Sequence, residues 1–328
     1  MNIREAHEKF ATDEQCLTYI QLMRWPDGIV RCPTCGDKNV EKYDRPLRAP
    51  KKRRSEDRDP EKENKRQWFY ICRNKDCREQ FSPTSGTIFH NTHLPLIVWF
   101  QAITLMLNAK KGLSAKQMQR DLGIGGYKTA WYLNHRIREA MAEGTIPQLG
   151  GIVEIDETYV GGKTVRRKDR GNRKWEEKDA VVGMIQRGGE LRLRHIGKGS
   201  ANSKKVAPLV RELVSRDVER VITDESIIYP PALDGYCASK HETIRHRDKI
   251  YVRGDVHTNT IESAFSLFKR GVNGSFHFVS IKHLQRYLNE FAYRFNRRKD
   301  DGAFMETVRR LAGFAPLTFD ALTSEEKA

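Results

Sequence analysis

Apolar residues recur at helical spacing over residues 1–30 and from Leu94 to about Glu143, shift to short strand-like runs past Gly150 and Gly151, and return to helical spacing in the last third. The runs at Val153–Tyr159, Ala180–Gln186, Leu191–Ile196 and Val218–Thr223 predict strands, with a helix at about Lys204–Val214. Upstream, Phe10, Cys16, Leu17, Ile20 and Leu22 form an apolar face over residues 1–30, closed by Pro26-Asp27-Gly28. Helical spacing resumes from Leu94 to about Glu143, and again over Ile281–Arg297 and Met305–Ala312. Strands mixed with helices, flanked by two helical regions, predict a multidomain α/β protein.

Within the helical middle, Ser114 is placed to cap a helix bearing Met118 and Leu122, and Gly123 ends it. The next helix, from Tyr127 to Arg138, turns Ala130, Leu133 and Ile137 inward, leaving Lys128, His135, Arg136 and Arg138 for the outside. Helix, glycine-bearing turn and basic helix describe either a DNA-reading helix-turn-helix or an ordinary helical hairpin.

Charge tilts the choice. The 328 residues hold 59 Lys and Arg against 43 Asp and Glu, a net +16, which favours a polyanionic partner and nucleic acid first. The N-terminus lacks the apolar core of a signal peptide. The longest nearly apolar stretch, Leu94 to Leu107, falls short of the roughly 20 residues that span a bilayer, so no membrane partner and a cytoplasmic location are expected.

Six cysteines are too few for a disulfide scaffold. Cys32-Pro33-Thr34-Cys35 and Cys72-Arg73-Asn74-Lys75-Asp76-Cys77 instead offer two thiolate pairs, enough to close a tetrahedral site around one structural Zn²⁺. A redox dithiol is the competing reading, but it needs only one pair. Cys16 and Cys237 read as core residues. Between the knuckles, Arg45 to Arg66 carries ten Lys or Arg, five Asp or Glu and almost nothing apolar, which marks a charged insert.

Three carboxylates stand where elements begin or end. Asp156 follows the run Ile152-Val153-Glu154-Ile155, Asp224 follows Arg220-Val221-Ile222-Thr223, and Glu262 opens a helix at Asn259. Two divalent ions about 3.5–4 Å apart need such an oxygen set to act on a phosphodiester. Each also has an ordinary explanation: Asp224 as cap of a helix near Glu225, Glu262 as the glutamate of a capping box. Lys269 lies two helical turns beyond Glu262 on the same face. His277 reads as a packed histidine.

The segments Asp156-Glu157-Thr158-Tyr159-Val160-Gly161-Gly162-Lys163, Thr223-Asp224, His257-Thr258-Asn259-Thr260-Ile261-Glu262-Ser263, Lys269-Arg270-Gly271 and Gly274-Ser275-Phe276-His277 resemble bacterial insertion-sequence transposases of the DDE type. The resemblance is to the family that joins an N-terminal zinc ribbon to an RNase H-like domain, and it extends over nearly the whole chain. It implies an N-terminal helix and ribbon over 1–90, with its insert at 45–66. A helix-turn-helix segment over 91–148, a catalytic domain over 149–300 and a helical tail over 301–328 follow. It further implies that Asp156, Asp224 and Glu262 bind two Mg²⁺ or Mn²⁺ ions and that Lys269 contacts DNA near the scissile phosphate.

Double-stranded DNA, as terminal inverted repeats and target, is then the partner. Lys128, Arg136, Arg138, Lys163, Arg166, Arg167, Lys269 and Arg270 are the expected contacts, and a homo-oligomer forms the synaptic complex beside the bacterial nucleoid. Two rivals stay open at this point: a zinc-ribbon and helix-turn-helix regulator that binds without cutting, and an RNase H-like nuclease that cuts without joining.

Overall fold

A computed structural model describes residues 1–46, 66–142, 144, 147–161, 178–244 and 252–324. The chain divides into two compact units. The first gathers residues 1–105, 119–140 and 301–328; the second gathers 106–118 and 141–300.

In the first unit the opening helical stretch is two helices, α1 (Ile3–Lys9) and α2 (Asp13–Arg24). Thr12 breaks them apart: its hydroxyl accepts from the Gln15 amide while the Gln15 side chain answers the Thr12 amide, a capping box. The ribbon follows as an antiparallel sheet of β1 (Val40–Pro46), β2 (Arg66–Cys72) and β3 (Gln80–Phe81). Tyr70 stacks on Phe81, with Trp25 at their edges.

Helices α3 (Leu96–Asn108), α4 (Ala115–Asp121) and α5 (Tyr127–Ala140) follow, α4 with the Ser114 hydroxyl capping the Gln117 amide at 3.1 Å. Phe10, Tyr19, Phe100 and Phe304 form an aromatic cluster that brings α10 (Ala303–Gly313) into this unit, and the short α11 (Phe319–Thr323) joins it through Phe319 against Trp131 and Tyr132.

The second unit is built on a five-stranded sheet in the order β6-β5-β4-β7-β8. Its strands are β4 (Ile152–Val160), β5 (Asp179–Gln186), β6 (Leu191–Lys198), β7 (Arg220–Asp224) and β8 (His241–Ile244). The first three run antiparallel, and β7 and β8 lie parallel to β4, the RNase H-like arrangement.

Alternation along β4 divides the cores. Val153 and Ile155 face α6 (Ser203–Leu213) and α7 (Tyr229–Leu233), among Val206, Val210 and Leu233. On the other face Val181 and Ile185 pack with Ile261, Phe265 and Leu288 from α8 (Asn259–Gly271) and α9 (Leu284–Asn296). Among the described residues no helix is long and apolar enough to cross a membrane.

Gly183 sits opposite Asp156 in this sheet. A Cβ there would lie 2.6 Å from the Phe265 ring and 2.7 Å from Ile261, so the missing side chain is what lets α8 settle onto the sheet. Gly183→Val should therefore cost about 1–3 kcal/mol of stability by overpacking. Denaturant melts check this; an unchanged midpoint would mean that α8 adjusts without strain.

Candidate active site

Strand pairing brings two of the three carboxylates level. Glu154 pairs with Ile222 across the parallel β4–β7 ladder, and Asp156 and Asp224 each stand two residues further on. Neighbouring strands run about 4.8 Å apart, so the two aspartates leave adjacent strand ends side by side. Glu262 joins them from the first turn of α8, and Lys269 lies two turns along the same helix. Asp156, Glu157, Thr158, Glu262, Lys269 and Arg270 line one open cavity of about 420 Å³.

The ordinary explanations for Asp224 and Glu262 do not fit this geometry. Asp224 Oδ1 accepts from the Ser226 amide at 3.0 Å, a local turn, and the next helix begins only at Tyr229 with Ile228 as its cap. Thr258 is the residue before α8, which puts Glu262 at the fourth helical position, one beyond that of a capping-box glutamate. Glu262 Oε1 instead accepts from the Thr258 hydroxyl at 2.7 Å.

The carboxylates here strain against one another. Burial, reinforced by Glu157, Asp224 and Glu262, pushes the Asp156 carboxyl up to about 8. Glu157 is also raised by burial, although Tyr229 donates its hydroxyl to Glu157 Oε2 and partly offsets this. Burial lowers the Lys269 ammonium, against the pull of Asp156. Buried carboxylates crowded together are costly unless a cation neutralises them, and hard oxygens in this number suit Mg²⁺ or Mn²⁺.

The four knuckle cysteines converge in the first unit. Their sulfurs all lie within 4.8 Å of one another, with Cys32 to Cys77 at 3.7 Å and Cys35 to Cys72 at 3.6 Å. A tetrahedral ion with bonds of about 2.3 Å needs sulfurs about 3.8 Å apart, so the set fits Zn²⁺. Gly36 turns the first knuckle at a positive φ, and its amide donates to the Cys32 carbonyl. The wider second knuckle closes through Asn74, whose carbonyl accepts the Cys77 and Arg78 amides, with Arg78 in the left-handed region. Burial pushes the Cys72 thiol up to about 12, while amides of Cys35 and Thr34 outweigh burial at Cys32 and hold it below the ordinary thiol range.

Several expected DNA contacts are placed otherwise. Arg136 and Arg138, expected on the outer face of α5, are buried at 6% and 2% exposure, and His135 is buried with them. Arg136 lies between the Trp99 and Tyr132 rings and donates to the Ile88 and His90 carbonyls, so its donors serve the protein itself. The cause is distant sequence: Tyr132 on α5 bonds the Leu317 carbonyl, and Trp131 packs on Phe319. Lys128 lies over the Phe319 ring at 4.2 Å. Lys163, Arg166, Arg167 and nearly all of the 45–66 insert lie outside the described residues. His277, expected to be packed, is exposed with a left-handed backbone.

Glu154, Glu157 and Tyr229 are parts of this neighbourhood that pattern reading passed over. The available signal was a glutamate inside an apolar strand, Ile152-Val153-Glu154-Ile155, since a charge in a buried run demands a partner.

Comparisons with known proteins agree with the two-part build. The family model of the ISXO2-like transposase domain matches residues 148–296, and that of the transposase zinc-ribbon domain matches residues 11–54. The second match ends inside the charged insert, before the second knuckle. A Halobacterium salinarum protein described as an uncharacterized protein in transposable element ISH50 is 29% identical over 298 residues, 87% of this chain and 91% of that one.

Among solved structures, the Mos1 strand transfer complex covers 65% of this chain and 75% of that one, with a TM-score of 0.27 and 14% identity. The simian T-cell lymphotropic virus intasome covers 52% of this chain and 58% of its own, with a TM-score of 0.28 and 15% identity. The two matched domains span most of the chain in the order read from its motifs. A transposase zinc-ribbon domain ahead of an ISXO2-like transposase domain makes the chain similar to the insertion-sequence DDE transposases that join an N-terminal zinc ribbon to an RNase H-like domain.

Proposed function

We propose that this protein cuts the ends of its own insertion sequence and joins them to target DNA, using Asp156, Asp224 and Glu262 to hold two Mg²⁺ or Mn²⁺ ions. The observation that carries the reading is the crowding of Glu157, Asp224 and Glu262 around the Asp156 carboxyl, with Asp156 and Glu262 lining an open cavity beside Lys269 and Arg270. Bound there, the ions supply activation of water or a 3′-hydroxyl and neutralise charge building on the scissile phosphate.

The chain's own residues do the rest. Asp156 and Asp224 present oxygens from adjacent strand ends, Glu262 closes the set from α8, and Lys269 and Arg270 offer cations to the DNA backbone entering the cavity. Chemistry of this kind passes directly from water to 3′-hydroxyl as nucleophile, so no protein side chain need form a covalent link to DNA. Cys32, Cys35, Cys72 and Cys77 hold one Zn²⁺ that keeps the ribbon folded. The ribbon and the α4–α5 pair bind terminal repeats, and two or more copies gather the two ends in the bacterial cytoplasm.

The test is incubation of purified protein with Mg²⁺, a target plasmid and DNA carrying the repeats that flank the coding region. Nicks exposing 3′-hydroxyls followed by joined products are expected. Nicks without joining would replace this reading with the nuclease, and binding without nicks with the regulator.

A further inference from the structure

Glu154 is wholly buried at the centre of the sheet, where an unpartnered carboxylate would be strongly destabilising. Its partners come from the start of the helix that carries Glu262. Oε2 accepts the Thr260 amide at 2.9 Å and the Ile261 amide at 3.0 Å, and Oε1 accepts the Thr260 hydroxyl at 2.9 Å. Thr258, the residue that precedes α8, makes no side-chain cap of its own. The first-turn amides of α8, which lack intrahelical acceptors, are thus satisfied by a residue about a hundred positions earlier, on β4.

A second set of contacts locks the carboxylate itself. Arg187 Nε donates to Glu154 Oε1 at 2.7 Å, while its other nitrogens donate to the Asp255 carbonyl at 2.6 Å and the His257 carbonyl at 2.8 Å. The guanidinium ties the segment leading into α8 to the same carboxylate that receives the helix amides, through its other oxygen.

The consequence lies in spacing. Glu154 and Asp156 leave the same face of β4, and Glu262 stands one turn into the helix whose start Glu154 grips. We propose that Glu154, braced by Arg187, is a positioning residue that fixes Glu262 against Asp156 at the separation two divalent ions require. The proposal rests on the carboxylate triad being the metal site.

The experiment measures Mn²⁺ binding by calorimetry on DNA-free, full-length protein, with hydrogen exchange at the Thr260 and Ile261 amides. Glu154→Gln keeps an acceptor but loses the charge that Arg187 needs; Glu154→Asp keeps the charge and shortens the reach. Both should weaken Mn²⁺ binding tenfold or more and speed exchange at the two amides, with Glu154→Asp the milder and end-DNA binding unchanged. A residue that only supported the fold would lower the melting temperature and leave the metal affinity of the folded protein as in wild type, which would overturn the proposal.

Wild-type protein gives a reading independent of any variant. Because coupling is reciprocal, adding Mn²⁺ should slow exchange at Thr260 and Ile261, and unaltered exchange would also overturn the proposal. Glu262→Gln separates the two levels. If it leaves Mn²⁺ binding intact, the triad reading fails; if it weakens binding while the Glu154 variants do not, the positioning role alone fails.

Discussion

Asp156→Asn should end strand cleavage, slowing it on the order of 10³-fold or more, while the metal-free protein becomes more stable. The loss follows from removing an anionic ligand at the centre of the set. The gain follows from what surrounds Asp156: burial first, then Glu157, Asp224 and Glu262, which together hold its carboxyl at about 8. An unfolded chain would release that proton near pH 4.

A carboxyl whose folded value lies above its unfolded value costs stability as pH rises between the two. Metal-free wild type should therefore lose stability from about pH 4 to about pH 8 on this account, whereas the Asn variant should not. A divalent ion reverses the sign, because it favours the ionised form, so the stabilisation by added Mg²⁺ should grow as pH rises toward 8. Thermal melts across this range with and without Mg²⁺, beside a cleavage assay, check both halves. Wild-type cleavage by the Asn variant would sink the assignment.

Zinc removal should have an effect of similar size on the other unit. Structural zinc supplies folding energy on the order of 10 kcal/mol in small metal-dependent domains, more than the ribbon's three short strands hold in reserve. Stripping the ion, or replacing Cys72 by Ser, should unfold the ribbon and abolish binding to element ends. Trp25 and Trp68, both buried in this region, should report the change as a shift in fluorescence. Elemental analysis should find one zinc per wild-type chain. A zinc-free protein with native fluorescence and full end binding would show that the four thiols hold the fold without metal.

Four strands of the second unit were legible as apolar runs, and the observed β4, β5, β6 and β7 differ from the expected spans by a residue or two, whereas the short and polar β8 was not expected. Asp156 and Asp224 were legible for a related reason, since a carboxylate ending such a run stands out. Arg136 and Arg138 were misread because a single helix shows which residues are polar and not what covers them. Here residues near the C-terminus close over α5.

Glu154 was passed over through the opposite error. In a strand that alternates, a charged residue reads as outward-facing, yet the face bearing Glu154 and Asp156 is roofed by α8. The single helix expected over 1–30 missed the capping chemistry of Thr12, a local signal present in the sequence.

The order of the strands also sets when the proposed site is assembled. Asp156 lies on β4, but the strand bringing Asp224 begins at Arg220, and the helix bringing Glu262 begins at Asn259. Parallel pairing across such a span waits for its intervening crossover and is slow compared with a hairpin. A nascent chain that has completed β4, β5 and β6 holds a folded meander with a single carboxylate of the three. On the proposed triad, interrupted synthesis or proteolysis before Asn259 yields fragments that cannot cut, and the capacity to break DNA arrives only as the last of these pairings closes.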